Sequence, residues 1–505
     1  MKAQSAGRLT IPKFFSIAIL TAVFSGIAVW MVIPSPPSGF YWDDTWYLLM
    51  AEWLTPDSSY RGFSWTMLGL QSYPPLFPLF IAWSGANLVD QQNAFIMNAL
   101  FLAFGTGIAM IWFVREGFST ISMSFAALLI MFNPVSLGYL PILYSEFLFT
   151  LLSTTALALA FLRREWKWNT KWLIIGIIVG LSVATRSAGW SLVLGFLVHL
   201  VWNRRLPPAV VFILGLGASI LIIPFLMVGI PPSSGYLGML IDNMANLGWD
   251  FIVQQVQGLV VGWSMLWGWG TGAWLAAVAV LLGLMVRLKA NRADAWYVIM
   301  YFGMLLVWPF PGHMGRFLWP LLPCFLVSAH SSFDLLRGTK HRSAMASVLI
   351  GLILVTSIPD GIGRSLERLL NPPAGELFQL SRMHEWSRSS TREEGMKKLK
   401  VRQQFLMDLQ RVDDLVDTKD CIYSEISGLV AIQTRQVSYA PPWSSLNQVG
   451  LRKVECKYYY MLPQSLSGTS TDDVNQFSAI HEELFRSLAP DDPEGKLLLG
   501  VFFRL

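Results

Sequence analysis

Long apolar stretches dominate the first seven-tenths of the chain. They fall at 12–33, 92–114, 119–137, 143–162, 171–185, 188–203, 209–230, 270–287, 295–309, 317–337 and 343–359. A helix needs about 20 apolar residues to cross a bilayer, and fewer when it is broken or packed inside protein. The pattern therefore predicts about eleven transmembrane helices, and an odd number puts the two ends of the chain on opposite sides. The first stretch follows Lys2, Arg8 and Lys13 as in a signal peptide. It is longer than a usual signal core and no small-x-small cleavage site follows, so it reads as an uncleaved first helix. Residues 75–89 are also apolar, after Pro74-Pro75. If they crossed, every later helix would flip, so they are placed as a short amphipathic piece on the outer interface.

After Pro359 the pattern changes to that of a soluble domain. Residues 360–415 read as charged and mostly helical. Cys421–Glu425, Gln436–Tyr439, Lys453–Leu462 and Leu497–Phe503 read as strands, and Ser427–Thr434 and Val474–Leu488 as helices. The fold class is thus an all-α polytopic membrane domain, 1–359, followed by a small α/β soluble domain, 360–505. No internal repeat and no glycine-rich phosphate loop is visible.

Composition agrees. Of 505 residues, 54% are hydrophobic and 14% charged, with mean hydropathy +0.49, where a soluble protein carries about 25% charged residues. Residues 1–359 have a net charge of +7 and residues 360–505 a net of −2. The basic balance therefore belongs to membrane loops. With no basic stripe interleaved with aromatics, nucleic acid is excluded as a partner. Sixteen basic residues fall in the loops this topology makes cytoplasmic: Lys2, Arg8, Lys13, Arg115, Arg163, Arg164, Lys167, Lys171, Arg204, Arg205, Arg287, Lys289, Arg292, Arg337, Lys340 and Arg342. Only Arg61, Arg186 and Arg316 fall outside. That asymmetry puts the N-terminus in the cytoplasm and the C-terminal domain outside. Short cytoplasmic loops and the absence of eukaryotic targeting signals suggest a bacterial inner membrane, whose outer side is the periplasm.

The outer loops are long. One, 34–91, is rich in Trp, Tyr and Pro; another, 231–269, holds Asp242, Asp250 and the run Gly262-Trp263 to Trp267-Gly268-Trp269. Aromatics at this depth usually anchor to headgroups, with sugar stacking as the alternative. Cys324 reads as core filler. Cys421 and Cys456 could pair in an oxidising compartment, but their distance in space cannot be read here. No metal-type Cys/His spacing occurs.

Chemistry concentrates at the outer mouths of helices. Asp43-Asp44 lies in Phe40-Tyr41-Trp42-Asp43-Asp44-Thr45-Trp46-Tyr47. Two adjacent carboxylates among aromatics are costly to desolvate unless paired or metal-bound, while the plain alternative is a helix N-cap. Arg186, between two short apolar stretches, stands against the positive-inside bias. An ion at that depth is a functional candidate or a structural ion pair, for instance with Glu146. Glu146 opens a span, where an acid also complements the helix dipole. His313 and Arg316 lie in a proline-framed outer turn, and a lone His is more often structural. Arginine binds phosphate bidentately, and a carboxylate can take a proton from an acceptor hydroxyl.

The run from Asp43-Asp44 through Trp46-Tyr47 to Tyr73-Pro74-Pro75-Leu76-Phe77-Pro78 resembles the first outer loop of the GT-C superfamily of polyprenyl-phosphate-sugar-dependent glycosyltransferases. It is most similar to the protein O-mannosyltransferase and aminoarabinose transferase (ArnT-like) branch. Ser145-Glu146, Thr185-Arg186 and Arg316-Phe317 with Pro320 and Pro323 resemble three later signatures of the group, so the likeness covers roughly residues 12–340. Asp44 departs from an Asp-Glu pair. The resemblance implies catalytic acids at Asp43, the general base, and Asp44. It implies a donor phosphate site of Arg186 and Arg316, with His313 beside them, and Glu146 and Tyr73 orienting the acceptor. It implies inversion by single displacement through an oxocarbenium-like transition state. The partners would be a polyprenyl-phosphate sugar, membrane lipid and an acceptor whose class (glycan, lipid or protein) stays open. The resemblance leaves the need for a metal open: Asp43 and Glu146 could hold a divalent cation, while a two-arginine phosphate site can do without one. A transporter or flippase of a lipid-linked sugar would share the arginines and the outer cavity, but no inverted repeat is seen. A membrane scaffold with an outer binding domain would leave the buried charges idle.

Overall fold

The computed structural model describes residues 11–33, 42–55, 73–88, 90–161, 168–226, 248–268, 270–308, 310–335, 342–357, 392–416, 420–424, 426–439, 456–461, 479–480, 482–488 and 498–505. Asp57, Arg61, Asp242, Trp269, the basic residues Lys2, Arg8, Arg163, Arg164, Lys167, Arg337 and Lys340, and the helical reading of 360–391 lie outside the described residues.

Each of the eleven apolar stretches is largely helical over its described residues. The helices are α1 (Ile11–Met31), α4 (Gln92–Arg115), α5 (Thr120–Met131) continued by α6 (Pro134–Tyr139), α7 (Glu146–Phe161), α8 (Trp168–Thr185), α9 (Gly189–Trp202), α10 (Leu206–Leu226), α12 (Thr271–Lys289), α13 (Ala293–Leu306), α14 (Met314–Leu318) with α15 (Leu322–Ser331), and α16 (Arg342–Ser357). Among the described residues, four segments are long and apolar enough by themselves to cross a membrane: Ile11–Val32, Gln92–Arg115, Thr120–Tyr139 and Thr271–Lys289. The other apolar helices pack against these and one another, α8 along α10 most extensively. This is an integral membrane architecture. The 317–337 stretch is broken into α and 3-10 turns at Pro320 and Pro323, because proline removes an amide donor and its ring clashes with the preceding turn. Close backbone approach holds α8 to α10: a Cβ on Gly176 would collide with Phe212 O, and one on Gly215 with Leu173 O. Small residues at a helix crossing are how membrane helices pack without a hydrophobic driving force.

Two helices sit where the sequence reads as outer loop, and the apolar piece between them is short, as expected. In the 34–91 loop, α2 (Trp42–Leu54) is a helix, with Trp46, Tyr47, Leu48, Leu49 and Met50 all buried. The apolar piece after Pro75 is α3 (Leu76–Trp83), eight residues long, only about 12 Å at 1.5 Å per residue and too short to cross. In the 231–269 loop, α11 (Trp249–Trp267) is a helix, and Trp267 is buried in protein instead of facing headgroups. Trp263 donates from its indole to Ala273 O at 2.9 Å.

The C-terminal part builds a five-stranded sheet, order β2-β1-β3-β5-β4, from β1 (Ile422–Ser424), β2 (Ser438–Tyr439), β3 (Tyr458–Met461), β4 (Glu482–Leu488) and β5 (Leu498–Arg504). β1 runs parallel to β2 and β3, while β5 runs antiparallel to β3 and β4. The helix α17 (Arg392–Leu415) covers one face through Phe405, Leu409 and Val412, and α18 (Ser427–Thr434) completes the α/β unit. The expected helix at 474–488 is corrected over its last seven residues, which form edge strand β4. A bulge between Glu483 and Phe485 leaves both glutamates exposed while Phe485 is buried against Phe502. Pairing with β5 overrides the local helix preference, and charges on the outer strand guard the sheet edge. Cys421 and Cys456 are joined in a disulfide that ties the starts of β1 and β3. Cys324 is buried and free.

Candidate active site

Elements distant in sequence bring their charges to one end of the helical bundle. α2 presents Asp43 in its first turn. α7 begins with Glu146. α8 ends at Thr185, so Arg186 occupies the turn before α9, its amide donating to Ser182 O at 3.0 Å. Arg316 lies on α14, after the 3-10 turn Pro311–His313. These are helix mouths, where a long side chain can reach across without breaking a backbone ladder.

Arg316 joins the two acids. Its Nη2 lies 2.5 Å from Asp43 Oδ2, and its Nε donates to Glu146 Oε1. Arg186 shares that oxygen, with Nη1 2.6 Å from Glu146 Oε1 and donating to Ser145 Oγ at 3.2 Å. Among the described residues none accepts from Arg186 Nε or Nη2. Tyr73 donates to Asp43 Oδ1 at 3.0 Å. The Tyr47 hydroxyl is 2.8 Å from Ser145 Oγ, and its ring meets Tyr73 edge-on at 5.1 Å. The Arg316 guanidinium sits 3.7 Å from the centre of the Tyr144 ring, a cation–π contact that partly replaces lost hydration. Arg186, Arg316, Asp43 and Glu146 thus form a mostly buried ion-pair cluster; Glu146 and Arg316 are only 4% and 5% exposed. Glu146 Oε2 is buried without a hydrogen-bond partner.

Burial pushes the Asp43 carboxyl up, but Arg316, Arg186 and the Tyr73 hydrogen bond outweigh it and hold the group below its ordinary value. Asp43 is therefore ionised in this state, and a weak base while Arg316 is against it.

Of the residues singled out in the sequence, Asp43, Glu146, Arg186, Arg316 and Tyr73 meet. Arg186 does pair with Glu146. Asp44 is buried beside them, its Oδ1 accepting the Thr45 amide at 2.8 Å. His313 is exposed, its ring near Phe310 and Phe317 at 6.4 Å each, at the rim. The two carboxylates that could share a divalent cation are bridged by Arg316, which supplies positive charge between them. Among the described residues no group of three or more His, Cys, Asp or Glu is placed to hold a metal. Ser145 and Tyr47 lie in the acidic motifs and Tyr144 precedes Ser145; the sequence alone gives them no role, and their signal is a hydroxyl or ring adjoining a buried ion in the chain.

A second ionic cluster occupies the opposite end of the bundle. Arg287, in the last turn of α12, donates from Nε and Nη2 to Asp294 at 2.6 and 2.9 Å, and from Nη1 to Glu116 at 2.7 Å and Ser331 Oγ at 3.0 Å. Each of its three nitrogens is engaged, and the cluster ties α4, α12, α13 and α15 together.

No protein-family model matches the chain, and no curated protein matches it. Solved structures do. ArnT from Cupriavidus metallidurans in the apo state superposes with a TM-score of 0.56 at 12% identity, over 97% of each chain. The same protein bound to undecaprenyl phosphate gives 0.55 at 11% identity, again over 97% of each chain. At such low identity the likeness speaks for architecture, and it spans the helical bundle and the C-terminal sheet alike: the chain has the fold of ArnT.

Proposed function

We propose that this protein is a membrane glycosyltransferase that moves a sugar from a polyprenyl-phosphate donor to an acceptor on the periplasmic face of a bacterial inner membrane. The observation that carries the reading is the convergence of Arg186 and Arg316 on Asp43 and Glu146 at one end of an ArnT-like bundle. ArnT has been captured with undecaprenyl phosphate, which fits a polyprenyl phosphate as the lipid partner here. The soluble domain's disulfide fits an oxidising compartment, and so favours a periplasmic C-terminal domain.

In the reaction, an acceptor hydroxyl attacks the anomeric carbon as the bond from that carbon to the phosphate oxygen breaks. Asp43 takes the hydroxyl proton. The polyprenyl phosphate leaves with the bonding electrons and is held by Arg186, Arg316 and, at the rim, His313 as its charge grows. Asp44, Glu146 and Tyr73 orient these groups. One displacement inverts the anomeric configuration. An aminoarabinose or a mannose donor would each suit this scheme.

The self-paired cluster adds a control. While Arg316 holds Asp43, the carboxylate is a poor base. A donor phosphate offers Arg316 a stronger partner, draws it from Asp43 and raises that carboxylate's proton affinity. Donor binding thereby arms the base, and without donor the acceptor is not activated.

The test is mass spectrometry of polyprenyl-phosphate lipids in cells lacking the protein, rescued with wild type or Asp43→Asn. One polyprenyl-phosphate sugar should accumulate in the null and the Asp43→Asn strains and clear with wild type. Identical pools in all strains would reject the transferase reading and favour a transporter or scaffold.

A further inference from the structure

α18, Ser427–Thr434, has two buried faces. Leu429 and Val430 pack into the core of the soluble sheet. Ala431 and Ile432 belong to the core of the membrane domain. Just before them, Gly428 lies directly on α2. A Cβ built there would collide with Thr45 Cγ2 and come within 3.7 Å of Trp46 Cε2. Thr45 follows Asp43 and Asp44 in the first turn of α2, and its amide is held by Asp44. The helix closes at Arg435, whose backbone is left-handed at φ 58°. From there Arg435 Nη2 donates to Leu88 O at 3.3 Å, in the chain just beyond α3. α18 therefore braces both segments that frame the cluster, the one carrying Asp43 and the one following Tyr73. α2 is a short helix outside the predicted spans, so its position depends on what packs against it.

We propose that α18 is a positioning element for the candidate active site. Gly428, lacking a side chain, lets the soluble domain seat on Thr45 and so fixes where Asp43 stands relative to Arg316. The inference deepens the transferase reading and rests on it. It gives the C-terminal domain a part in transfer without contact with substrate. Gly428 acts through Thr45 and is a positioning residue, not a catalytic one.

The test uses the full-length protein in membranes of the null strain, supplied with the polyprenyl lipid extract of that strain as donor. Compared are wild type, Asp43→Asn, Gly428→Ala, Thr45→Ser and the Gly428→Ala/Thr45→Ser pair. Thr45→Ser deletes the one methyl that the methyl added by Gly428→Ala would strike, and it keeps the hydroxyl. A displacement of about 1 Å can cost as much as 10²-fold in rate. Gly428→Ala should therefore lower kcat about 10- to 100-fold with little change in KM for the lipid extract. Thr45→Ser alone should keep wild-type turnover, and the double variant should recover most of the loss. Thermal midpoints of the purified variants are read alongside. Wild-type turnover in Gly428→Ala, with Asp43→Asn inactive, overturns the positioning role and leaves the transferase reading standing. So does a loss that persists in a folded double variant. No consumption of the extract by wild type rejects the transferase reading, and this inference with it.

Discussion

Arg316 Nη2 rests 2.5 Å from Asp43 Oδ2, the one residue on α14 and the other on α2. The same guanidinium donates to Glu146, so one cation satisfies two carboxylates from two further elements. Removing one partner of a buried ion pair costs about 3–5 kcal/mol, because the abandoned charge stays desolvated. Arg316→Met should therefore lower the thermal midpoint of the purified protein markedly. Arg316→Lys keeps the charge but not the planar fork. It should hold one carboxylate, fold nearly as well as wild type, and lose about 10²-fold or more in transfer rate. Equal activity in Arg316→Lys would show that the fork geometry is unimportant.

Glu146 Oε1 contacts Arg186 and Arg316 together, so under the proposed function it would compete with a donor phosphate for both arginines. Glu146→Gln should leave those arginines unneutralised and bind undecaprenyl phosphate more tightly than wild type, about 5- to 10-fold for roughly 1 kcal/mol gained. Transfer should nevertheless slow, because the arginines lose the group that aims them. Ligand-induced thermal shift, titrated with undecaprenyl phosphate, measures the first effect. Weaker binding in Glu146→Gln would mean that the carboxylate organises the phosphate site instead of competing for it.

Much of this arrangement is legible in the chain. The apolar stretches locate the helices, and topology singles out Arg186 and Arg316 because they break the positive-inside bias. The pairing of Arg186 with Glu146 follows from placing both at the same end. What hides is whatever depends on contacts between distant segments. Residues 42–54 mix acids with aromatics and show no clean apolar stripe; their helix makes sense once Trp46, Tyr47 and Leu49 are buried in the assembled core. Glu116, Arg287 and Asp294 read as separate solvated charges, and only the convergence of α4, α12 and α13 joins them. Glu482–Leu488 would suit a helix until β5 offers it an edge to pair with. The disulfide between Cys421 and Cys456 needed β1 beside β3 before it could be seen.

The state of Asp43 can be read from stability. Its carboxyl is held below the ordinary value, burial being outweighed by Arg316 and Arg186. A group depressed in the folded protein stabilises it above the unfolded value, and that contribution is lost as pH falls through the folded value. Asp43→Asn cannot titrate. The gap in thermal midpoint between wild type and Asp43→Asn should stay constant from neutrality down to about pH 4 and close below it. A gap that closes nearer neutrality would mean a carboxyl that is raised, and a different charge balance in the cluster.

Cys421 and Cys456 close a loop at a sequence separation of 35. A loop of that size limits the unfolded chain by roughly 4 kcal/mol in the entropic account. Replacing both with Ser should make the soluble domain sensitive to limited proteolysis while the helical bundle stays protected. Because α18 follows β1 closely and braces α2, the same variant should also lose transfer activity in step with that loosening. Intact resistance to protease in the double-Ser protein would place the domain's stability elsewhere, in the Phe485, Phe502 and Tyr460 core.

The cluster at the opposite end supplies the control for all of these. Arg287 engages Asp294 by two parallel bonds and reaches Glu116 and Ser331 with its remaining nitrogen. Every nitrogen of that guanidinium has an acceptor, whereas Arg186 keeps Nε and Nη2 without a described acceptor. Both clusters are buried ion networks, so composition and burial alone would rank them equally. Their difference lies in spent and unspent donors. Arg287→Met should cost about 3–5 kcal/mol for the two carboxylates it strands, seen as a lower thermal midpoint and less protein in the membrane. The protein that does fold should bind undecaprenyl phosphate with wild-type affinity. Arg186→Met should do the reverse, with a smaller loss of stability, because Arg316 still faces Glu146, and a large loss of lipid affinity. If both variants lose affinity alike, the distinction between a structural and a ligand-binding cluster fails.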